Sequence, residues 1–304
     1  MDNKYILYTE KLSKHYKSCK AVDDVNIHIR KGDIYGFIGK NGAGKSTCLK
    51  MFSGLIHPTS GTINLLGNKN QDLYKNNIFS KVGCLIESPG LYKNMTAFQN
   101  LKILSLCIGN NSSDYINEVL EIVDLTHAAH RKVKGFSLGM KQRLGIALAL
   151  LNKPELLILD EPINGLDPQG IVEIRQLILK LNTEYKMTVI ISSHILEELA
   201  KIATNIGIIH KGKLLSEFTK EEFEQNNTSN IELSVDNIKK ATILLDNLQD
   251  IKYTISENEI IKIPQQGKST GDLVTMLVQN GIKINYVNEK STTLEEYYLN
   301  LTSK

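Results

Sequence analysis

The stretch GKNGAGKS, Gly39 to Ser46, decides the fold that this sequence predicts. Its spacing is G-x-x-x-x-G-K-[ST], a glycine-rich loop that ends in a lysine and a hydroxyl. The apolar run Ile34–Ile38 precedes it, and a helical pattern follows it as far as Gly54. A strand, this loop and a helix in that order predict a phosphate-binding loop, and the alternative of an ordinary glycine-rich turn fits the context poorly.

Each residue type in the loop has a physical role. Gly42 and Gly44 allow backbone N–H groups to turn inward, and the start of the helix adds partial positive charge. Lys45 can reach the β- and γ-phosphates of a nucleotide, and the hydroxyl of Ser46 can bind Mg²⁺. The residues expected to contact the nucleotide here are Gly39, Lys40, Asn41, Gly42, Ala43, Gly44, Lys45, Ser46 and Thr47.

A second motif, LLILDEP (Leu156–Pro162), is an apolar strand that ends in two carboxylates. At the carboxyl end of a parallel strand, both acids can face the crevice where phosphates bind. We expect Asp160 to hold Mg²⁺ through water and Glu161 to act as general base. His194 follows another apolar run, where its imidazole can hydrogen-bond a γ-phosphate. An isolated Asp-Glu pair or histidine is more often a surface residue, so these predictions depend on the phosphate-binding loop.

The apolar runs predict an α/β fold. IYGFIG, LLILD and TVIIS are unbroken and of strand length, which is typical of parallel strands buried on both faces and covered by helices. Shorter strands at Tyr5–Thr9, Val25–Ile29 and Thr62–Leu65 favour an additional antiparallel sheet near the N-terminus.

Residues 91–150 are predicted to form a mostly helical insertion. Thr96 and Gln99 have the spacing of a capping box that opens a helix through about Cys107. Apolar residues then recur at helical spacing at Ile116, Val119, Leu120 and Val123.

The composition becomes polar after Leu215, so we expect an ATPase-sized domain over 1–215, a linker over 216–227 and an accessory domain over 228–304. The accessory domain has a β-α-β-β-α-β pattern, which suggests a ferredoxin-like α+β fold without a chemical motif. Its predicted elements are strand Ile231–Val235, helix Ile238–Leu248, two strands around a turn at Glu257–Asn258, helix Gly271–Asn280, strand Ile282–Val287 and a last helix through Leu301.

Composition excludes some classes of protein. The net charge of +3 is spread among both signs, which argues against a nucleic-acid partner. Cys19, Cys48, Cys84 and Cys107 lack metal-site spacing and are interpreted as buried free thiols in a reducing compartment. No uncharged apolar stretch approaches the roughly 20 residues that cross a bilayer, so we expect a soluble chain whose membrane role requires a partner.

The stretch FSLGMKQR, Phe136 to Arg143, predicts a second anion-binding site. Ser137 and Gly139 begin a helix, where a hydroxyl and N–H groups can bind phosphate. The chain has only one complete set of Lys45, Asp160 and Glu161. The spare helix start is therefore expected to serve a nucleotide held by a second copy, so that a homodimer encloses two ATP molecules.

Together these motifs make residues 5–215 resemble an ATP-binding subunit of an ABC transporter. The resemblance implies that Tyr16 stacks on adenine, although an edge-strand tyrosine is the alternative. It also implies that Asp167, within NGLDP, belongs to the D-loop and contacts nucleotide, and that His194 is the switch histidine. The implied cofactors are ATP and Mg²⁺.

The sequence departs from the family pattern at two positions. Leu138 stands where the signature LSGGQ has its first glycine, and Glu87 stands where the family has the Q-loop glutamine. Glu87 keeps an oxygen for nucleotide or Mg²⁺ but adds a charge near the triphosphate. These departures, with the stretch EPINGLDPQGI and the ending LEEYYLNLT, resemble the subfamily that exports bacitracin or lantibiotics.

The resemblance implies an ATPase that energises a separate integral-membrane permease at the cytoplasmic face of the bacterial membrane. The expelled peptide or drug would be bound by the permease, not by this chain. Alternatives are another drug or lipid exporter and a weakly hydrolysing regulatory module. An importer fits less well, and a soluble ATPase of DNA repair or translation would need a coiled-coil insertion or two ATPase halves.

Overall fold

The computed structural model describes residues 4–17, 19–109, 112–226, 230–247, 251–256, 258–264, 269–290 and 293–302. The chain divides into two compact units, Met1–Lys220 and Glu221–Lys304. The boundary lies at Lys220, not at residue 215, because the segment expected to be a linker is largely regular structure. Residues 213–219 form a strand and residues 220–226 a helix, while residue 227 lies outside the described residues.

The strands of the first unit, in chain order, are β1 (Tyr5–Tyr16), β2 (Cys19–Val25), β3 (His28–Arg30), β4 (Ile34–Ile38), β5 (Ser60–Leu65), β6 (Asn68–Lys69), β7 (Val82–Leu85), β8 (Leu156–Asp160), β9 (Thr188–Ser193), β10 (Asn205–His210) and β11 (Lys213–Thr219). The α-helices as far as the unit boundary, in chain order, are α1 (Lys45–Phe52), α2 (Gln71–Lys75), α3 (Ala97–Cys107), α4 (Ser113–Ile122), α5 (Leu138–Leu150), α6 (Pro168–Thr183), α7 (Leu196–Ala200) and α8 (Lys220–Asn226), which begins at the boundary.

The central sheet has the strand order β11-β10-β4-β9-β8-β7. Every pair is parallel except β10 with β11. All residues of β4, β8 and β9 are buried, as their unbroken apolar runs predict. The carboxyl ends of these three strands therefore lie side by side and carry the phosphate loop, the two carboxylates and His194.

The N-terminal antiparallel sheet is confirmed, but its strand bounds differ from the prediction. Strand β1 continues to Tyr16 past a bulge at Lys11, whose φ is 49°. The predicted strand Val25–Ile29 is wrong as one element, because residues 26 and 27 separate β2 from β3, and the Asn26 side-chain oxygen accepts a hydrogen bond from the Lys11 N–H at 2.7 Å. An irregularity of this kind interrupts the alternation on which the prediction was based.

The helical insertion is confirmed. Thr96 and Gln99 form the expected reciprocal capping box at the start of α3, which ends at Cys107 as predicted. The apolar positions of α4 are buried, and α5 packs near β7 and α4. Ser137 caps α5, so the sequence FSLGM lies at the exposed entrance to this helix.

The second unit contains β12 (Asn230–Val235), α9 (Ile238–Asp246), β13 (Thr254–Ile255), β14 (Ile261–Pro264), α10 (Thr270–Gln279), β15 (Ile284–Lys290) and α11 (Leu294–Thr302). Its antiparallel sheet has the order β13-β14-β12-β15. This order and the β-α-β-β-α-β sequence confirm the ferredoxin-like pattern. Leu248 and Glu257, which the prediction included, lie outside the described residues.

The interpretation of the cysteines is partly wrong. All four are free, but only Cys48 is buried, while Cys19, Cys84 and Cys107 are exposed. Cys84 illustrates the reason, because β7 is the outer strand of its sheet and has one uncovered face. Among the helices that the structure describes, none has the length and apolar character needed to cross a bilayer.

Candidate nucleotide site

The phosphate-binding loop has backbone conformations that require glycine. Gly42 and Gly44 have φ values of 81° and 110°, in the left-handed region. A Cβ on Gly44 would also lie 2.6 Å from the carbonyl oxygen of Ala21, and one on Gly39 would lie 2.6 Å from that of Ile209. The loop is therefore tightly enclosed by β2 and β10, which keeps its N–H groups in place.

Lys45 begins α1 and is 5% exposed. Its Nζ donates to the carbonyl oxygens of Gly39 at 2.6 Å and Lys40 at 3.4 Å. The same nitrogen lies 3.3 Å from Glu161 Oε1. The buried ammonium thus faces both the loop backbone and the carboxylate at the end of β8.

A cavity of about 430 Å³ opens at the loop. This is in the size range of pockets that hold nucleotide-sized ligands. It is lined by Cys19, Lys20, Ala21, Lys40, Asn41, Gly42, Gly44, Lys45, Ser46, Thr47, Glu161, Lys211 and Gly212. Most of the residues predicted from the loop are present, and the four lysines of the lining give the wall positive charge.

Asp160 ends β8 and is 4% exposed. It lies opposite Ser192 in the register between β8 and β9. Ser192 Oγ donates to Asp160 Oδ1 at 2.5 Å and accepts from the Glu161 N–H at 2.9 Å. One buried hydroxyl therefore orients both members of the Asp-Glu pair.

Glu161 connects the lysine and the histidine of the site. Its φ is 51°, so the chain leaves β8 sharply and the side chain turns toward the loop. Glu161 Oε2 lies 2.7 Å from His194 Nδ1 and also accepts from the His194 N–H at 3.3 Å. Because a carboxylate only accepts, Nδ1 carries the proton in this contact. Glu161 Oε1 is buried and accepts no hydrogen bond from the described residues.

The predicted second anion site is a helix start with exposed donors. Ser137 is exposed, and its Oγ accepts from the Met140 N–H at 3.2 Å. A Cβ on Gly139 would meet only Leu166, at 3.9 Å, so this backbone is open. Within the described lining of the 430 Å³ cavity, neither Ser137 nor Gly139 occurs. The structure does not bring this helix start to the cavity of its own chain.

Asp167 caps α6, where its Oδ1 accepts from the Gly170 N–H at 3.0 Å. It does not occur in the described lining of the cavity. The adjacent Gly165, with a φ of 74°, faces Leu138, whose Cδ2 lies 3.4 Å from the position of a Cβ on Gly165. The leucine that departs from the signature pattern therefore lies close to the backbone at Gly165.

Glu87 is exposed and has a φ of 63° in the segment after β7. Its Oε1 accepts from Lys50 Nζ at 2.7 Å. This hydrogen bond lowers the pKa of the Glu87 carboxyl, and it is the largest cause of the raised pKa of Lys50. The negative charge of Asp160 raises the pKa of Lys50 further.

Tyr16 ends β1 beside the cavity wall. It pairs with Cys19 across the β1–β2 turn, and Cys19 lines the cavity. The ring is 47% exposed, with Lys14 Nζ 5.2 Å from its centroid. Tyr16 is therefore available for stacking at the edge of the cavity, although it does not line the cavity itself.

Comparison with known proteins decides the family. A model described as ABC transporter matches residues 22–164. The bacitracin transport ATP-binding protein BcrA of Bacillus licheniformis is 45% identical over 299 residues, covering 97% of this chain and 97% of that protein. This chain belongs to the ABC transporter ATP-binding proteins.

Two further matches describe how far the likeness extends along this ABC ATPase. The lantibiotic transport ATP-binding protein SrtF of Streptococcus pyogenes is 45% identical over 212 residues, covering 70% of this chain and 90% of that protein. A solved ATP-binding cassette, in a dimeric post-hydrolysis state bound to ADP and Pi, matches with a TM-score of 0.63 and 27% identity. That match covers 70% of this chain and 98% of the solved one.

The residues of this ABC ATPase fit a magnesium nucleotide. The cavity combines the uncapped start of α1, a buried lysine and a hydroxyl, which is a donor set for a triphosphate. Asp160 supplies an oriented, buried carboxylate, and oxygen ligands are those that Mg²⁺ takes. Among the described residues there is no group of three or more His, Cys, Asp or Glu side chains that could hold a metal ion.

Sequence reasoning missed several residues of this site. Ser192 could have been suspected from SSH, where polar residues follow a buried run. Lys50 had no such signal, because a lysine on an exposed helix face is ordinary. Lys20, Lys211 and Gly212 reach the cavity only through the placement of β2 and of the β10–β11 turn.

Proposed function

We propose that this chain is the ATP-hydrolysing subunit of an exporter that expels a peptide antibiotic of the bacitracin or lantibiotic type. The observation that carries the proposal is the extent of the BcrA match, which covers 97% of both chains. It therefore includes the ferredoxin-like unit, whereas the SrtF match covers 70% of this chain. Export of such a peptide would give resistance or self-immunity.

In the proposed reaction, the loop N–H groups and Lys45 bind the β- and γ-phosphates. Ser46 and Asp160 would hold Mg²⁺, which neutralises charge on the transferred phosphoryl group when it is bound. When Lys45 binds phosphate, it can keep some of its contacts with Gly39 and Glu161, because an ammonium has three donors. The same lysine can therefore contact phosphate and still orient Glu161.

Glu161 is the proposed general base. Its Oε1 accepts no hydrogen bond from the described residues and can take a proton from the attacking water. The water oxygen forms a bond to the γ-phosphorus, and the bond to the β–γ bridging oxygen breaks to leave ADP and phosphate. His194 follows β9 and donates from Nδ1 to Oε2 of the base, and when the ring carries a second proton its Nε2 can donate to the γ-phosphate.

The second anion site supports a homodimer closed by ATP. Ser137 and Gly139 face outward at an exposed helix start, and an anion from outside the chain would satisfy this helix terminus. In the proposed dimer each copy completes the nucleotide site of the other, with Asp167 in the adjacent D-loop. The solved cassette with a TM-score of 0.63 is dimeric, which supports this arrangement.

A groove lined by residues of β7, α3 and the end of α5 is the proposed docking site for an integral-membrane permease. The groove has a volume of about 230 Å³ and is lined in part by Val82, Leu104, Ile108 and Leu148. Exposed apolar side chains at such a groove favour a partner helix. We propose that the chain is held in this way at the cytoplasmic face of the membrane, and that the permease binds the exported molecule.

The experiment is deletion of the gene, followed by exposure of the cells to bacitracin, a lantibiotic and unrelated drugs. We expect selective loss of tolerance to one of the peptides, restored by the wild-type gene and not by Glu161→Gln. Unchanged peptide tolerance with an active ATPase would point instead to a different drug or a lipid. Absence of phosphate release from purified protein in the presence of permease would favour a regulatory nucleotide-binding module.

A further inference from the structure

Lys50 and Glu87 join two parts of the site that are separate in sequence. Lys50 lies on α1, the helix that begins with Lys45 and Ser46. Glu87 lies in the segment between β7 and α3, which leads from the central sheet into the helical insertion. Their 2.7 Å contact therefore connects the phosphate-binding helix to the start of the insertion.

The contact also has an electrostatic meaning. Glu87 is an acid at a position where the family pattern has a neutral glutamine, and a triphosphate carries several negative charges of its own. An unpaired carboxylate near it would weaken nucleotide binding. The negative charge of Asp160, at the proposed magnesium site, is a further cause of the raised pKa of Lys50.

We propose that Lys50 is a positioning residue of the nucleotide site, which neutralises Glu87 and holds it so that an acid can occupy the Q-loop position without repelling ATP. This inference rests on the proposed nucleotide role of the site. It assigns Lys50 an action through Glu87 and not through direct contact with phosphate. The two actions differ in one measurable respect, namely whether the effect of Lys50 depends on the charge of Glu87.

The test is a double-mutant cycle on nucleotide affinity. Binding of a fluorescent ATP analogue to the full chain is measured in EDTA, so that neither metal nor turnover contributes. We expect Lys50→Met to weaken binding roughly three- to tenfold, because the carboxylate of Glu87 would then repel the triphosphate without a neutralising partner. In the Glu87→Gln background, the same substitution should change affinity by less than about twofold.

Two controls make the result specific. Lys50→Arg keeps the positive charge and should bind ATP within about twofold of wild type. Lys290→Met removes one member of the Lys290–Glu296 pair, which has the same 2.7 Å separation and belongs to the other compact unit. It should leave affinity unchanged. Circular dichroism and the melting temperature establish that every variant is folded.

Equal weakening by Lys50→Met in both backgrounds would overturn the proposal, because Lys50 would then act directly on the nucleotide. No weakening in the wild-type background would overturn it as well. Wild-type protein that fails to bind ATP would instead refute the proposed nucleotide site, so the two failures are distinguishable.

Discussion

The hydroxyl of Ser192 provides the most informative single perturbation, because it bonds both the carboxylate of the proposed magnesium ligand Asp160 and the backbone N–H of the proposed base Glu161. Ser192→Ala removes the 2.5 Å hydrogen bond to Asp160 and the 2.9 Å bond from the Glu161 N–H. Ser192 is fully buried and Asp160 nearly so, which prevents water from replacing the lost hydroxyl. The Glu161 N–H keeps only the Ser192 carbonyl oxygen, at 3.2 Å.

The magnitude follows from these contacts. A hydrogen bond to a charged group contributes about 1.5–3 kcal/mol, and the weakened Glu161 N–H contact adds to the loss. We expect the free energy of unfolding to fall by about 2–3 kcal/mol. For a unit of this size that corresponds to a decrease in melting temperature of roughly 4–12 °C.

The assay is thermal unfolding by circular dichroism together with a Mg²⁺ titration of ATP hydrolysis. Because Asp160 loses the group that orients it, we expect apparent Mg²⁺ affinity to fall roughly 10- to 100-fold. Ser193→Ala is the matched control, since Ser193 is equally buried but accepts from the neutral Ile195 N–H at 2.9 Å. It should cost only about 0.5–1.5 kcal/mol.

The reasoning would be refuted if Ser192→Ala and Ser193→Ala had equal effects on both stability and Mg²⁺ affinity. Equality would mean that the carboxylate needs no hydroxyl partner. A loss of stability with unchanged Mg²⁺ affinity would contradict the assignment of Asp160 to the metal.

Three further predictions address the lysine, the base and a remote ion pair. Lys45→Ala should weaken ATP binding by about 1.5–3 kcal/mol, measured by titration calorimetry, and unaltered affinity would exclude its phosphate contact. Glu161→Gln should bind ATP and remain dimeric with it, and a variant that elutes as a monomer with nucleotide bound in size-exclusion chromatography would contradict the dimer mechanism. Hydrogen bonds from Lys201 and Arg175, together with burial acting in the opposite direction, leave the pKa of Glu198 below its ordinary value. This stabilisation is present above the unfolded-state pKa and is lost as the pH falls through the folded-state pKa. Glu198→Gln should therefore lower the melting temperature by roughly 1–3 °C at pH 7 and have little effect near pH 3. A decrease of the same size at both pH values would exclude the ionic contribution.

Much of the fold could be predicted because its signals are local. The unbroken apolar runs identified β4, β8 and β9, and the spacing of Thr96 and Gln99 located the start of α3. Predictions failed where side chains alter the backbone pattern. Asn26 follows the end of β2 and bonds to Lys11, and the predicted linker includes residues 216–219 of β11 because β11 is a partly exposed edge strand with polar residues.

The candidate site also has a part that local sequence predicts and a part that it does not. The phosphate loop follows from glycine spacing, and the cavity lining contains most of its predicted residues. The stacking of Tyr16 and the roles of Ser137, Gly139 and Asp167 stay predictions, since these residues do not occur in the described lining of the cavity.

By itself the sequence determined the strand, the glycine loop and the helix, because backbone freedom and apolar periodicity are properties of neighbouring residues. It also determined that two carboxylates end a buried strand. Only the tertiary structure decided which groups hold those carboxylates and which lysine meets Glu87. Ser192 lies 32 residues from Asp160, and Lys50 lies 37 residues from Glu87. Such contacts depend on strand order and on the rotation of a helix against the sheet, which are set by packing of the whole unit.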